Sequence, residues 1–206
     1  MKFLKYTLAI LFVLFSTQLL AEPVAGKDYK LVDPAQPTNS GNKIEVLEFF
    51  FYGCSHCYHL HPELSAWEKK MPKDVDLVLV PTIFNISWEP MAYTYYALEA
   101  LGKNHELHND LYEAWNVKNI MLTEESNIAA FVSSHGVDSK KFSEAYHSFG
   151  VNSKVMRSKQ LTQAFRISGT PTLVVDGKYL ITGLQPAEAI KVLGELVEKA
   201  RKERKH

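Results

Sequence analysis

The sequence predicts an α/β fold interrupted by an all-helical insertion, and three observations predict it. An apolar, β-branched segment stands on either side of the helix that begins near Cys54. Residues 87–166 carry only helical signals, and strand signals return after Gly169. Strands that flank a helix and resume after a helical stretch indicate one α/β domain split by an insertion of about 70–80 residues.

The first part of the α/β domain shows a strand, a helix and a second strand. Residues 43–52 (KIEVLEFFFY) are apolar at nearly every position, which is typical of a strand buried on both faces. Gly53 turns the chain, and a helix is predicted from about Cys54 to Lys70. Residues 75–84 (VDLVLVPTIF) are predicted to form a second buried strand, parallel to the first because a helical crossover joins them. A short strand is also predicted over residues 29–32.

The insertion is predicted from helical periodicity and from capping residues. We expect Thr123 to cap a helix that ends at Gly136. We expect Asp138 to cap the next helix, which stops at Gly150. A longer helix over about residues 151–166 leads back to the α/β domain.

The second part of the α/β domain is predicted to be a hairpin followed by a helix. Asp176-Gly177 is a strong hairpin turn signal, and it separates strands over residues 172–175 and 178–181. Pro186 favours a helix start, and the closing helix runs to about Arg201. The predicted organisation is a signal peptide (1–21), the first part of the α/β domain (22–85), the helical insertion (86–157) and the second part of the α/β domain (158–206).

The first 21 residues have the features of a secretory signal peptide. Lys2 and Lys5 give a positive start, Leu8 to Phe15 are apolar, and Ala21 offers a small residue at the cleavage site. The alternative is an uncleaved membrane anchor, but the apolar stretch is shorter than the ~20 residues that a spanning helix needs. We therefore expect an exported chain that is cut near Ala21, which leaves 185 of the 206 residues.

Charge excludes one class of partner. Removal of Lys2 and Lys5 leaves 21 basic and 23 acidic residues, a net charge of −2. No basic segment dominates, because the basic tail from Arg201 is typical of a solvated helix end, so nucleic acid is not an expected partner.

The two cysteines of the chain are close together, and disulfides persist in exported proteins. A disulfide across so short a loop stabilises a fold little, which favours a catalytic pair.

Cys54 and Cys57, in the stretch Cys54-Ser55-His56-Cys57, are the candidate catalytic pair. Cys54 lies where the predicted helix begins, so unpaired backbone N–H groups and the helix dipole favour its thiolate. His56 adds a positive charge or a donor within the same turn. Cys57 lies one turn further and is expected to be buried. The prediction is that Cys54 reacts with the substrate and Cys57 resolves the mixed disulfide.

Two further positions are candidate site residues. Glu48 is an acid inside an apolar strand, where a carboxyl tends to keep its proton, and it is predicted to exchange a proton with Cys57. The alternative is that Glu48 faces solvent, as we expect for Glu45. Thr170 and Pro171 precede a strand, and a cis bond between them would lie against the cysteines and offer the Thr170 backbone to an extended substrate. The alternative is a trans turn proline.

The histidines leave a metal site as an alternative. His59 and His61 lie near the cysteine pair, but no second Cys/His group completes a tetrahedral site, so no metal and no cofactor are expected. The histidines of the insertion show no partner pattern and are treated as structural: His105, His108, His135 and His147. An apolar groove near the cysteines is expected to be lined by some of Tyr52, Trp88, Met91 and Tyr93.

EFFFYGCSHCYHL, the helical insertion and SGTPTLVVDGKY together resemble the DsbA-type periplasmic thiol:disulfide oxidoreductases. The resemblance covers essentially the whole mature chain. It implies a thioredoxin fold with an inserted helical domain, an unfolded or reduced exported protein as substrate, and a quinone-linked membrane oxidase as reoxidant. It also implies that Cys54 is the exposed nucleophile, Cys57 its buried partner, His56 a thiolate stabiliser, Glu48 the buried acid and Thr170-Pro171 the cis-proline loop.

The chain departs from that family at two places. Ser55 stands where the best-known members have proline, and residues 75–84 lack a counterpart of the lysine near the buried acid. The expected function is a monomeric oxidase that donates the Cys54–Cys57 disulfide to exported proteins in the periplasm. The alternatives are a disulfide reductase or isomerase of the same fold, and a Cys/His metal-binding carrier.

Overall fold

A computed structural model describes residues 22–205, and the predicted signal peptide lies outside them. The strands are β1 (Lys30–Leu31), β2 (Ile44–Phe50), β3 (Val75–Pro81), β4 (Thr172–Val175) and β5 (Tyr179–Thr182). The helices are α1 (Ser55–Glu68), α2 (Glu89–Ala100), α3 (Asn104–Asn116), α4 (Glu125–Ser134), α5 (Ser139–Tyr146), α6 (Phe149–Ala164) and α7 (Pro186–Glu203). Each predicted strand and helix is present, with ends shifted by a few residues. Within the described part of the chain, no helix is long and apolar enough to cross a bilayer.

The strands form one mixed sheet in the order β1-β5-β4-β2-β3. β2 pairs in parallel with β3 and antiparallel with β4, as a helical crossover and a later hairpin require. All seven residues of β2 are buried, which confirms the prediction of a strand covered on both faces. β3 was predicted to be buried, and this is wrong for its middle: Val78 is 37% exposed, because β3 is an edge strand with one paired neighbour.

The hairpin between β4 and β5 is confirmed, and its turn needs glycine. Asp176 and Gly177 have φ values of 53° and 67°, so both lie in the left-handed region that a tight two-residue turn requires. A Cβ on Gly177 would lie 2.0 Å from the backbone oxygen of Gln36, which belongs to the segment that crosses this turn. β1 then pairs antiparallel with β5 and closes that edge of the sheet.

Helices α2 to α6 form the insertion between β3 and β4. Asp138 caps α5 as predicted, since its carboxylate accepts from the Lys141 N–H over 2.8 Å. Thr123 does not cap α4, whose N-cap position holds Glu124 without a side-chain bond. Gly150 does not stop α5; it lies in the first turn of α6, because Ser148 ends the connection and caps the new helix.

α6 belongs to both parts of the molecule. Its first half contributes Val151 and Val155 to the apolar core of the insertion. Its second half contributes Leu161 to the core on one face of the sheet, against Leu47 and Phe49 of β2. α1 and α7 cover the opposite face. A single uninterrupted helix thus ties the insertion to the sheet.

Candidate active site

Cys54 occupies the N-cap of α1, one residue after a glycine that the packing requires. A Cβ on Gly53 would lie 2.5 Å from Cε1 of Phe51 and 2.9 Å from Cε3 of Trp115. The chain then turns into α1, whose first backbone bond runs from the Tyr58 N–H to the Cys54 carbonyl. The Cys54 Sγ accepts from the backbone N–H of Cys57 over 3.4 Å. The sulfur is therefore held against the donor end of a helix.

These donors stabilise the Cys54 thiolate. The hydrogen bond from the Cys57 side chain is the largest cause that lowers the pKa of Cys54, to about 5, against the opposing effect of partial burial. The Thr170 side chain and the backbone N–H groups of Cys57 and His56 lower the pKa further. In the protonated form, the Cys54 thiol donates to the Thr170 carbonyl over 3.3 Å. A half-exposed sulfur with such a pKa is largely thiolate at neutral pH.

Cys57 has the opposite environment. Its side chain, in the first turn of α1, is completely buried. Burial raises the pKa of the Cys57 thiol far above its ordinary value, and the Cys54 sulfur raises it further. The pair therefore combines one accessible thiolate with one buried thiol, both unlinked in this structure.

His56 reaches Cys54 through its backbone. Its N–H contributes to the lowered pKa of Cys54, as given above, and its side chain is exposed. Within residues 22–205, the His56 ring makes no hydrogen bond to the Cys54 sulfur; it lines the groove next to it. The structure thus brings His56 to the groove next to the Cys54 sulfur.

Glu48 is a buried acid of β2, with 1% of its surface exposed. Burial raises its pKa to about 8, and the charges of Glu68 and Cys54 add to this. Its Oε1 has no hydrogen-bond partner among the described residues. At neutral pH the carboxyl therefore keeps its proton.

The expectation that Glu45 is exposed is wrong. Glu45 is 4% exposed because residues 39 and 40 fold over it. Its Oε2 accepts from the Asn39 backbone N–H over 2.7 Å and from the Ser40 hydroxyl over 3.1 Å. The hydrogen-bond donors of this loop offset the free-energy cost of burying the carboxyl group. The sequence pattern of the strand does not reveal the loop.

The Thr170–Pro171 peptide bond is cis, and it borders an apolar groove of about 530 Å³ beside the cysteine pair. The groove is lined by residues of α1, of the cis-proline loop and of the connection from β5 to α7, among them His56, His59, Leu60, Pro171, Leu184 and Gln185. The residues expected to line such a groove lie elsewhere. Tyr52 and Met91 are core residues with 1% exposure, and Trp88 stacks on Phe51 with ring centroids 3.8 Å apart.

His108 of α3 is a residue whose place the sequence did not reveal. It is 6% exposed, and its Nδ1 lies 2.7 Å from the Tyr52 hydroxyl. Burial lowers its pKa to about 3. The His61 ring packs against it with centroids 4.9 Å apart. The spacing of His108 and Tyr112, four residues apart and beside the buried Leu107 and Leu111, was a signal that His108 faces the core.

Comparisons with known proteins agree with this geometry. The family model for the DSBA-like thioredoxin domain matches residues 71–193. The thiol:disulfide interchange protein DsbA of Pseudomonas aeruginosa is 36% identical over 180 residues, covering 86% of this chain and 85% of that protein. The protein of the same name from Burkholderia cepacia is 40% identical over 161 residues, covering 77% of this chain and 76% of that one. The crystal structure of Pseudomonas aeruginosa DsbA superposes with a TM-score of 0.85 at 35% identity, covering 89% of this chain and 97% of that chain.

Proposed function

Because this chain belongs to the DsbA-like family of thioredoxin-fold thiol:disulfide oxidoreductases, we propose that Cys54 is the nucleophile through which it oxidises its substrates. The chain is a protein thiol:disulfide oxidase, and its substrates are exported proteins. The observation that supports the role of Cys54 is the contrast between its pKa, lowered to about 5, and that of Cys57, raised by burial. The sulfur with the stable thiolate is the better leaving group and the accessible one.

The reaction transfers two electrons from a substrate dithiol to the Cys54–Cys57 disulfide. A substrate thiolate attacks Sγ of Cys54, forms a mixed disulfide and expels Cys57 as a thiolate. The second substrate thiolate then attacks the substrate sulfur of the mixed disulfide and expels Cys54. The substrate is oxidised, both enzyme sulfurs are reduced, and Cys54 remains a thiolate while Cys57 takes up one proton.

Glu48 is proposed as the group that supplies this proton. The Cys57 thiolate forms in a buried site, where its pKa is raised, so it must be protonated as it leaves. The Glu48 carboxyl still carries a proton at neutral pH, since burial raises its pKa to about 8. When Glu48 is ionised, its negative charge raises the pKa of the Cys57 thiol. The carboxylate that remains has to recover a proton before the next cycle.

The groove beside the cis-proline loop is proposed as the substrate site. Thr170 and Pro171 lie at its edge together with His56, next to the Cys54 sulfur. An extended peptide placed along this loop would pair its backbone with that of Thr170 and would bring a cysteine to Cys54. Apolar walls formed by residues such as Leu60 and Leu184 suit the exposed apolar side chains of an unfolded chain.

The proposal extends to location, partner and assembly. We propose that the signal peptide is removed near Ala21 and that the mature chain acts in the periplasm as a monomer. A quinone-linked membrane oxidase restores the disulfide. The domain boundaries proposed are 22–85 and 158–206 for the thioredoxin-like domain and 86–157 for the helical insertion.

Replacement of the resolving cysteine tests the assignment of the two sulfurs. Cys57→Ala should accumulate covalent adducts between Cys54 and reduced exported proteins, visible on non-reducing gels and released by a reductant. Cys54→Ala is the matched control, and it should trap none. Adducts on Cys57 in the control variant, or none in Cys57→Ala, would reverse or remove the assignment. A glutathione titration of the wild-type pair gives the direction of transfer, because a potential as low as that of thioredoxin (about −270 mV) would indicate a reductase.

A further inference from the structure

A cavity of about 960 Å³ lies against the middle and the end of α1, and it shares no lining residue with the substrate groove. Its walls come from α1, β2, β3, α2, α3 and α6. Two of the groups that line it are buried polar side chains, Glu48 of β2 and His108 of α3. The cavity is roomy and polar enough to hold water.

Each of these two side chains presents an unpartnered atom. Within residues 22–205, neither Oε1 of Glu48 nor Nε2 of His108 has a hydrogen-bond partner. Buried polar atoms of this kind need a partner, and in a polar cavity that partner is water. One water or a short chain of waters between the two walls would satisfy both atoms at once.

The bond between His108 and Tyr52 decides which nitrogen of the imidazole carries the proton. Burial keeps the ring neutral at physiological pH, since its pKa is lowered to about 3. The Tyr52 hydroxyl lies 2.7 Å from Nδ1 and makes no other hydrogen bond among the described residues, so it donates to Nδ1. The proton of the ring then sits on Nε2, which makes this buried atom of a cavity-lining residue a donor without a partner among residues 22–205.

We propose that His108 is a positioning residue for proton transfer: its Nε2–H, oriented by Tyr52, holds the cavity water that returns a proton to Glu48 after Cys57 has taken one. This inference rests on the proposed role of Glu48. His108 does not carry the proton itself, because its ring stays neutral. The water donates a proton to the Glu48 carboxylate and recovers it from bulk solvent through the open mouth of the cavity.

Other titratable groups face Glu48 and set the background against which it titrates. Those on the cysteine side and within the core are Cys54, Cys57, Tyr52, Tyr95 and Tyr112. Those on the cavity wall are Glu45, Asp76, His61, Glu68, Lys69, Glu99, His105, Lys154 and Arg157. The cationic side chains Lys154 and Arg157 of α6 belong to this wall, so the cavity joins a buried acid to a charged rim.

The test uses two variants, each of which replaces only one of the two hydrogen-bonding nitrogens of the imidazole. The amide of His108→Asn replaces Nδ1 and keeps a partner for Tyr52, but it removes the donor at Nε2. The amide of His108→Gln reaches the place of Nε2 and keeps that donor. Reduction of the Cys54–Cys57 disulfide by excess glutathione is followed from about pH 5 to about pH 9, with rates corrected for the glutathione thiolate.

We expect the disulfide of His108→Asn to be reduced about tenfold more slowly than that of the wild type below the pKa of Glu48. This loss is smaller than the ~10²–10⁴-fold that general acid catalysis contributes as a whole, because Glu48 itself remains. The step that the wild-type profile shows as Glu48 loses its proton should flatten in this variant. His108→Gln should restore both the rate and the step. Equal losses in the two variants would mean that His108 acts through packing alone, and the inference would be wrong.

Two additional variants separate the possible failures. If Glu48→Gln leaves the wild-type profile unchanged, the proposed role of Glu48 fails. If Glu48→Gln flattens the profile while His108→Asn does not, the role of Glu48 stands and that of His108 falls. If His108→Asn does not fold, as judged by circular dichroism, Tyr52→Phe replaces it. In Tyr52→Phe the His108 imidazole is free to change tautomer, because the hydroxyl that fixes its proton on Nε2 is gone. A pH profile identical to that of the wild type would then overturn the inference.

Discussion

The backbone N–H of Cys57 donates to the sulfur of Cys54 over 3.4 Å, so the resolving cysteine stabilises the thiolate of the nucleophile. The Cys57 side chain acts in the same direction and is the largest cause of the lowered pKa of Cys54. A stable Cys54 thiolate lowers the free energy of the reduced enzyme relative to that of its disulfide. Since each oxidation of a substrate leaves the enzyme in its reduced form, this makes the disulfide a stronger oxidant.

The first prediction concerns the ionisation of Cys54. Ultraviolet absorbance of the reduced protein against pH should show one thiolate with a midpoint near the pKa of about 5. Cys57→Ala should raise this midpoint, because it removes the side-chain donor and leaves the backbone N–H. Cys54→Ala is the control, in which the low-pH transition should vanish. A wild-type midpoint near that of a free cysteine, about 8.5, would contradict the site geometry.

The second prediction concerns stability and Glu48. Its folded pKa, about 8, lies above the unfolded value of about 4.3, so the folded state binds the extra proton between these two values. Its contribution to stability is complete below the unfolded pKa and is lost as pH rises through the folded one. Glu48→Gln should abolish this loss, and relative to the variant the wild type should lose on the order of 5 kcal/mol between about pH 4 and pH 9.

Denaturant unfolding of the oxidised protein measures this loss. The disulfide removes the ionisation of Cys54 from the comparison, and burial, the largest cause of the raised pKa of Glu48, persists. Glu63→Gln is a suitable control, because Glu63 lies exposed on α1 and should leave the pH dependence as it is. Parallel curves for wild type and Glu48→Gln would show that the carboxyl is not buried in solution.

The third prediction concerns the bond that holds the loop before Cys54 to the insertion. The Asn116 side-chain amide donates to the Tyr52 carbonyl and to the Tyr112 carbonyl, each over 2.8 Å. Asn116→Ala leaves the first of these carbonyls without that donor and should lower the free energy of unfolding by about 1–3 kcal/mol. The rate of disulfide exchange should fall with it, because this loop positions the nucleophile.

Asn109→Ala is the matched control for that variant. Asn109 lies exposed on the same helix, α3, and its amide donates to Glu113 within that helix. Its loss should change stability by less than about 0.5 kcal/mol. Thermal or denaturant unfolding of both variants makes the comparison, and equal effects would refute a special role for Asn116.

The fourth prediction concerns the turn between β4 and β5. Gly177→Ala places a Cβ 2.0 Å from the Gln36 oxygen at a φ of 67°, so it meets both a steric clash and an unfavourable backbone conformation. Gly41→Ala has a similar φ of 59° but no atom within 4 Å. We expect a loss of about 1 kcal/mol at Gly41 and of about 3 kcal/mol at Gly177, measured by denaturant unfolding.

Local patterns of the sequence were sufficient to predict the strands, the hairpin and the helix start that carry the site residues. The unbroken apolar run of β2 predicted its burial, and Asp176-Gly177 predicted the hairpin that it joins. The spacing of Cys54 and Cys57 at a predicted helix start was enough to predict that one sulfur would meet backbone donors. These signals are local, because helix starts and tight turns are decided by a few consecutive residues.

Features that depend on distant segments were predicted less well. Glu45 and Glu48 stand three residues apart in one strand, and both are buried for reasons that lie elsewhere in the chain. Glu45 is covered by a loop that supplies hydrogen-bond donors, and Glu48 lies among helices that pack on the sheet. The substrate groove likewise combines α1 with the connection that precedes α7, whereas the aromatic residues near the cysteines in sequence fill the core.

By itself the sequence determined the chemistry: two sulfurs in one helical turn, an acid within an apolar strand and a proline after Thr170, in a chain whose resemblances extend over most of its length. Only the tertiary structure decided which of these groups hold a proton at neutral pH and where a substrate can bind beside them. It put Tyr52 and His108, which stand far apart in the chain, in hydrogen-bond contact, and it opened a cavity that Glu48 and His108 both line. The physical reason is that burial and the partners of a side chain depend on which distant segments pack around it, and these set its pKa.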